Sequence, residues 1–421
     1  MKTGYFSALV APLEIPVFRA LWIATIVSNV GTLMHGVGAA WLMTSMTTSP
    51  FLVGLVPAAV FLPTFLVGLW GGVLADLFPR RKILIITQSA MMVAALALGL
   101  LTLSGMMSPL VLLMLTLAIG LAASINLPAW QSQIQDIVPA TQVTAAVSLN
   151  SMSFNTARAV GPALGGLLVA LAGPAVVFLL NALSFLGTVF VLTQWKRPEP
   201  VRATASHLTA MHAGARYVVA SAAIRAPLVR VAVLGFGASA IWAVLPLLSR
   251  DTLGLGPGGY GSLLAAFGLG SLVIASLVPG LRRVLHPDWI VGGGVLVLAI
   301  AIFLLATVQS YPILLGALFV GGIAWVAAMV QFNVAVQTSV SPEFRGRAMS
   351  FYLVSFQGGM GLGSAFHGWL AGRIGIPNTL IFASLVVLSG IALIKSLPLA
   401  GSDHLVMTDT DGPGEGSGGG T

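Results

Sequence analysis

Residues 51–82 read FLVGLVPAAVFLPTFLVGLWGGVLADLFPRRK. The stretch 51–75 carries no charge. It then meets Asp76 and, shortly after, Arg80, Arg81 and Lys82. An α-helix crosses the hydrocarbon layer of a bilayer with about 20 apolar residues. The stretch therefore predicts one membrane-spanning helix that ends at a basic loop.

The rest of the chain follows the same pattern. Of 421 residues, 57% are hydrophobic and 7% charged, against about 25% charged in soluble domains. Lipid-facing surface must be apolar as well as the core, which accounts for the deficit. The 49 glycines suit membrane helices that pack through small residues. There is no cysteine, which excludes disulfides, thiolate metal sites and cysteine nucleophiles. No G-x-x-x-x-G-K-[ST] loop occurs, so ATP-driven pumping by this chain alone is not expected. Gly358, Gly359, Gly361 and Gly363 lie inside an apolar stretch and read as packing residues. No acid/base pair or nucleophile cluster stands out. We expect no enzyme activity, no metal and no cofactor.

Proline, glycine and charge punctuate the chain into twelve apolar segments. They cover approximately 18–43, 51–75, 83–104, 110–134, 144–171, 175–194, 226–249, 259–280, 289–309, 313–338, 348–372 and 377–397. Glu14 and Arg19 interrupt the N-terminus, and the apolar stretch beyond is too long for a signal core, so the first segment reads as a retained helix. Placing both termini in the cytoplasm puts Lys2, Arg19, Arg80, Arg81, Lys82, Lys196, Arg197, Arg202, Arg216, Arg225, Arg230, Arg282, Arg283, Arg345, Arg347 and Lys395 on the inner side. Arg250 and Arg373 fall outside, and Arg158 lies within a span. This is the positive-inside pattern. The net charge of +8 is thus orientation signal and contact with anionic lipid, not a nucleic-acid face. The expected location is the cell inner membrane.

The long polar connection 195–225 separates six segments from six. The expected organisation is a six-helix bundle over 1–194, a cytoplasmic linker over 195–225, a second six-helix bundle over 226–397 and a disordered cytoplasmic tail over 398–421. The halves resemble each other. A shift of 202 aligns Ser148 with Ser350, Gly161 with Gly363, Gly166 with Gly368 and Gly173 with Gly375; a slightly larger shift aligns Ala58-Ala59 with Ala265-Ala266. Repeated halves are a hallmark of secondary transporters. The fold class read here is an all-α membrane protein of twelve transmembrane helices in two pseudo-symmetric bundles.

Two motifs carry a resemblance. Gly72-Val73-Leu74-Ala75-Asp76-Leu77-Phe78-Pro79-Arg80-Arg81-Lys82 resembles the loop 2–3 signature of the major facilitator superfamily, with Leu77 in place of a basic residue and Pro79 in place of a glycine. The resemblance implies a cytoplasmic gate at Gly72, Asp76, Arg80 and Arg81. Gly161-Pro162-Ala163-Leu164-Gly165-Gly166 resembles the end of the superfamily's antiporter motif, while the upstream glycines are replaced by Ser148 and Ala157. Pro162 removes a backbone hydrogen bond and favours a kink. Further phrases, Phe18-Arg19, Ser28-Asn29, Leu127-Pro128-Ala129 and Arg158 before Gly161-Pro162, are similar to the exporter branch that includes the enterobactin exporter and macrolide efflux pumps. The resemblance implies export by alternating access and leaves the substrate open.

Polar residues within the spans are the candidate substrate-cavity lining. A charge at mid-helix costs roughly 2.5–3.5 kcal/mol on insertion scales, which singles out Arg158. It attracts an anionic substrate group or braces neighbouring helices. Asn150 and Asn155 share its helix. Asn126, Trp130 and Gln133 form a stripe about 60° wide on the fourth span. Asn29, His35, Trp242, Gln331 and Gln357 complete the set. His35 and His367 could carry a proton. No carboxylate lies at mid-membrane, so Asp76 and Asp136, at the inner edge, are the available substitutes. The expected function is a monomeric, proton-coupled antiporter that exports small amphipathic organic molecules of the drug or siderophore class. The alternatives are a lipid or lysolipid flippase and a nutrient importer of the same fold.

Overall fold

The computed structural model describes residues 9–195 and 221–399, apart from 283, 342 and 343 and the side chains at 69, 71–73, 75, 76, 135, 222, 275, 276, 279 and 395. Among the described residues there are twelve long helices and no strand. They are α1 (Pro16–Met46), α2 (Pro50–Leu77), α3 (Arg80–Leu103), α4 (Pro109–Ile137), α5 (Val143–Ala172), α6 (Pro174–Gln194), α7 (Ala222–Leu247), α8 (Pro257–Leu281), α9 (Pro287–Thr307), α10 (Tyr311–Thr338), α11 (Arg345–Ile374) and α12 (Ile376–Ser396). Each matches a segment read from the sequence, to within about four residues at the start of α7. Eleven are long and apolar enough to cross a membrane by length and composition; α11, rich in glycine and serine, is the twelfth.

Proline opens most of these helices. It occupies the first turn of α1, α2, α4, α6, α8, α9, α10 and α12, where its missing N–H leaves no bond unmade. Inside α2, α4, α5 and α7, prolines 57, 63, 128, 162, 227 and 246 interrupt the backbone ladder and favour bends. A π-helical turn, Leu248–Thr252, closes α7.

Two large apolar clusters form. One is built from the first six helices with Leu247 of α7. The other is built from the last six with Val37 and Ala40 of α1. Within the first six, α1 packs on α5 and α6, α2 on α4, and α3 on α4 and α6. Within the last six, α7 packs on α11 and α12, α8 on α10, and α9 on α10 and α12. The sequence repeat is visible as geometry. Gly173 and Gly375, 202 positions apart, take φ of 80° and 83° at the α5–α6 and α11–α12 corners, a left-handed conformation that glycine adopts without strain.

Two expectations need refinement. Arg230, one of the expected inner-side charges, lies near the start of α7 and is 2% exposed. Its Nη1 donates to Asp288 Oδ1 at the start of α9 (2.7 Å) and to Leu397 O (3.3 Å), and its guanidinium lies 5.4 Å from the Phe332 ring centre. A carboxylate from a distant helix makes this burial tolerable, which one-dimensional charge counting cannot detect. The second concerns the tail. The expected disordered segment starts at 398, yet Leu399 is 3% exposed and its N–H donates to Asp288 Oδ2 (3.4 Å). The ordered chain thus continues past α12 by folding onto the Arg230–Asp288 pair. The linker core, 196–220, and the tail beyond 399 lie outside the described residues; positions 222–225, expected in the linker, are helical.

Removing one member of a buried ion pair costs about 3–5 kcal/mol. Arg230→Ala is expected to lower the thermal unfolding midpoint in detergent by several degrees. Arg230→Met paired with Asp288→Leu should recover most of the loss. An unchanged midpoint in the single variant would deny the pair its structural role.

Candidate functional site

The first and last six helices meet along two seams, α2 with α11 and α5 with α8. Both seams are closed by glycine. A Cβ added at Gly54 would lie 2.7 Å from Gly368 Cα and from Ser364 O. A Cβ at Gly166 would lie 2.8 Å from Gly261 Cα and 2.7 Å from Pro257 O. These distances leave no room for a side chain, because the obstructing atoms are backbone. Gly54 precedes Gly261 by 207 positions and Gly166 precedes Gly368 by 202, the shifts seen in the sequence. The two contacts are therefore one contact, repeated. Both lie away from Arg80, Arg81 and Lys82, at the end where α1 and α8 also meet through stacked Trp41 and Tyr260 rings (centres 6.3 Å apart, 24°).

The basic end is braced within the first six helices. Arg80 Nη1 donates to Asp136 Oδ2 (3.0 Å) and Ser132 O (3.1 Å), tying α3 to the end of α4. Arg81 donates to Leu192 O (2.8 Å) and Thr193 O (2.7 Å). It satisfies carbonyls that the last turn of α6 leaves free. The side chains of Gly72 and Asp76, the other expected gate residues, lie outside the described residues.

The candidate lining residues divide into three groups. Trp130, Gln133 and Asn150 come together. With Phe18, Trp22, Thr25 and Ile134 they line a small cleft of about 20 Å³ between α1, α4 and α5. Trp22 Nε1 donates to Leu149 O (3.1 Å), which fixes one wall. Gln133 is 2% exposed, and neither its Nε2 nor its Oε1 has a hydrogen-bond partner.

A second group stands around Arg158. The residue is half-buried, and its guanidinium lies 5.2 Å from the Phe154 ring centre. No carboxylate pairs with it among the described residues. Its backbone carbonyl meets Gly268 of α8. Next to Gly268, Phe267 begins a chain of rings. Phe267 and Trp242 lie 5.5 Å apart, Trp242 and Trp325 5.9 Å, and Trp325 and Phe356 5.8 Å. Phe267, Trp325 and Phe356 were missed by the sequence reading. Polar residues in an apolar helix stand out, whereas aromatic ones do not. Asn155 is half-buried on the face of Arg158, and Gln357 is half-buried on α11.

The third group is spent on packing. Asn126 is buried and its Nδ2 donates to Thr87 Oγ1 of α3 (2.7 Å), so it leaves the stripe with Trp130 and Gln133. Asn29 Nδ2 donates to Ser153 Oγ of α5 (3.4 Å). His35 packs on Phe178 of α6, ring centres 4.7 Å apart, with both ring nitrogens unpartnered. Gln331 is 1% exposed, its amide also unpartnered. In the GP-x-x-GG stretch, Gly161 and Gly165 admit α1 at Leu33 and Met34, while Pro162 and Gly166 face α8 at Gly261.

Over residues 7–411 the sequence matches the major facilitator family described as transmembrane secretion effector. The chain belongs to that family. It is 25% identical over 419 residues to the uncharacterized MFS-type transporter YfiS of Bacillus subtilis (strain 168), which covers 95% of this chain and 99% of that protein. It is 28% identical over 362 residues to the enterobactin exporter EntS of Shigella boydii serotype 4, covering 84% and 85%. A bacterial homolog of the human lysosomal transporter Spinster, in an inward-facing and occupied conformation, superposes with a TM-score of 0.74 at 15% identity, covering 92% of this chain and 97% of that one. The nucleoside transporter NupG superposes with a TM-score of 0.76 at 12% identity, covering 90% and 99%. At those identities the shared property is the major facilitator fold.

Within this family frame the unpartnered carboxamide of Gln133 has a measurable consequence. A buried polar group without a partner costs about 1–3 kcal/mol. Gln133→Leu, similar in size, should raise the unfolding midpoint while lowering transport, the trade expected where stability is given up for a binding group. A drop in midpoint with transport intact would make Gln133 a packing residue.

Proposed function

We propose that this chain is a proton-coupled secondary exporter of small amphipathic organic molecules, drug-like or siderophore-like, acting by alternating access from the cytoplasmic side of the inner membrane. The observation that carries the reading is Arg158, a half-buried guanidinium within a membrane-spanning helix with no carboxylate partner among the described residues. An uncompensated charge in this setting is costly. A substrate anion supplies the missing partner, and Phe154, 45% exposed beside the guanidinium, offers an apolar surface to the same ligand. The enterobactin exporters among the relatives support export of organic molecules.

Direction follows from charge. The positive-inside pattern makes the Arg80–Arg81–Lys82 end cytoplasmic. The glycine contacts at Gly54 and Gly166 then lie toward the other side. Asp136 is engaged by Arg80. Asp76, together with His35 and His367, the two histidines buried in spans, are the titratable groups to examine first for proton coupling. A second reading, translocation of a lipid or lysolipid, is favoured by the uncovered lower face of α5.

In inside-out vesicles, uptake of an anionic fluorescent dye should require an acidic lumen, an outward-directed proton gradient that antiport dissipates. It should collapse when a protonophore is added. Arg158→Ala should cut uptake at least tenfold with membrane insertion intact, and Arg158→Lys should retain part of it. Uptake indifferent to the protonophore would remove proton coupling; unchanged uptake in Arg158→Ala would remove the anion site.

A further inference from the structure

The α5–α8 seam changes character halfway along. At about 100° per residue, Thr144, Ser148, Ser151, Asn155 and Arg158 fall within an arc of about 80° on α5. Pro162 and Gly166 continue the same arc, where they are buried against Gly261. The face that is sealed above Arg158 is therefore polar below it. There it is uncovered: Thr144 and Ser151 are exposed, and Ser148, Asn155 and Arg158 are half-buried. Ser148 and Ser151 donate to Thr144 O (2.9 Å) and Val147 O (3.0 Å) of their own helix, so the ladder is not consumed in holding α8. On α8 the matching arc runs Gly261, Gly268, Leu272; the glycines are buried and Leu272 is 37% exposed.

The ladder is flanked by uncovered apolar side chains, Phe154 at 45% and Met152 at 53% exposure. The two serines are satisfied by their own helix, but hydrocarbon alone would leave the Asn155 amide and the Arg158 guanidinium unsolvated. Water alone would strand the large apolar flanks. The repeat-related seam lacks this feature. The 202-residue shift keeps Ser148 as Ser350 and Asn155 as Gln357, but it carries Ser151 to Leu353 and the charged Arg158 to Met360, which is buried. There α2 and α11 stay in contact down to Phe65 against Gly358 and Val354 against Gly68.

We infer that the lower α5–α8 seam is a lateral entry for an anionic amphiphile arriving from the leaflet at the basic end. Its charged head follows Thr144, Ser148, Ser151 and Asn155 to Arg158. Its apolar body stays between Phe154 and Leu272, still in contact with lipid. The inference deepens the exporter reading by naming the substrate class, and it rests on that reading for the direction of transport.

The chain has no cysteine, so Ser151→Cys carries a single thiol for a bimane fluorophore. In nanodiscs, bimane at this position should be quenched both by phosphatidylcholine with brominated acyl chains and by aqueous iodide. Laurate should lower the brominated-lipid quenching slope at least twofold. Methyl laurate, which lacks the charge, should not, and Arg158→Ala should abolish the protection by laurate. Thr144→Cys, on the same ladder, provides a second position should the first variant fold poorly. Quenching by iodide alone, by brominated chains alone, or equal protection by laurate and its ester would each overturn lateral entry. Double quenching with anion-specific protection in a chain that exports nothing would refute export and leave the entry route standing. Export of a water-soluble dye with iodide-only quenching would do the reverse.

Discussion

The two halves of this molecule meet backbone to backbone. Gly54 against Gly368 and Gly166 against Gly261 bring helices of opposite halves to distances that no side chain could enter. In a bilayer, helices are not driven together by water, because lipid tails are as apolar as leucine. Close van der Waals contact between small residues does the work instead. The two sets of six helices are thus held by shape, with contacts that continue along α2 and α11 from Gly54 to Gly68. Such contacts stabilise the closed end without a deep energetic trap, as rocking between two conformations requires.

The charges follow from this geometry. Arg230, near the start of α7, is reconciled with its surroundings by Asp288 and by the chain that folds back after α12. Arg158 has no such compensation among the described residues and stands where the sealed part of α5 gives way to the uncovered part. The two arginines sit in similar helices and differ in whether a carboxylate was supplied. The paired one braces the last six helices. The same contrast separates the amides: Asn126 is satisfied by Thr87, while Gln133 borders a cleft with its carboxamide unpartnered.

Much of this was legible in the sequence. The twelve spans follow from apolar runs cut by proline, glycine and charge, since hydrocarbon thickness sets a ruler that the chain must obey. The repeat shifts of 202 and slightly more anticipated the paired corners at Gly173 and Gly375 and the paired glycine contacts. Arg158 was visible because a charge inside an apolar run has no local excuse. Contacts between distant segments were not visible. Nothing local marks Asp288 as the partner of Arg230, or Thr87 as the partner of Asn126, and the rings of Phe267, Trp325 and Phe356 look like ordinary apolar filler until four helices bring them together. The fold of Leu399 onto Asp288 was hidden for the same reason, since a short polar ending reads as loose tail.

The claim on which the account turns is that closure at the glycine end and opening at the basic end are two aspects of one motion. Pulsed electron–electron resonance on spin-labelled pairs tests it directly, with Leu171 and Phe51 replaced by cysteine for one end and Thr144 and Leu277 for the other. The account predicts two distances in each pair, with populations that shift in opposite senses when Gly166 is replaced by valine: the glycine end longer, the basic end shorter. A single unmoving distance at both ends, or both ends lengthening together, would contradict it.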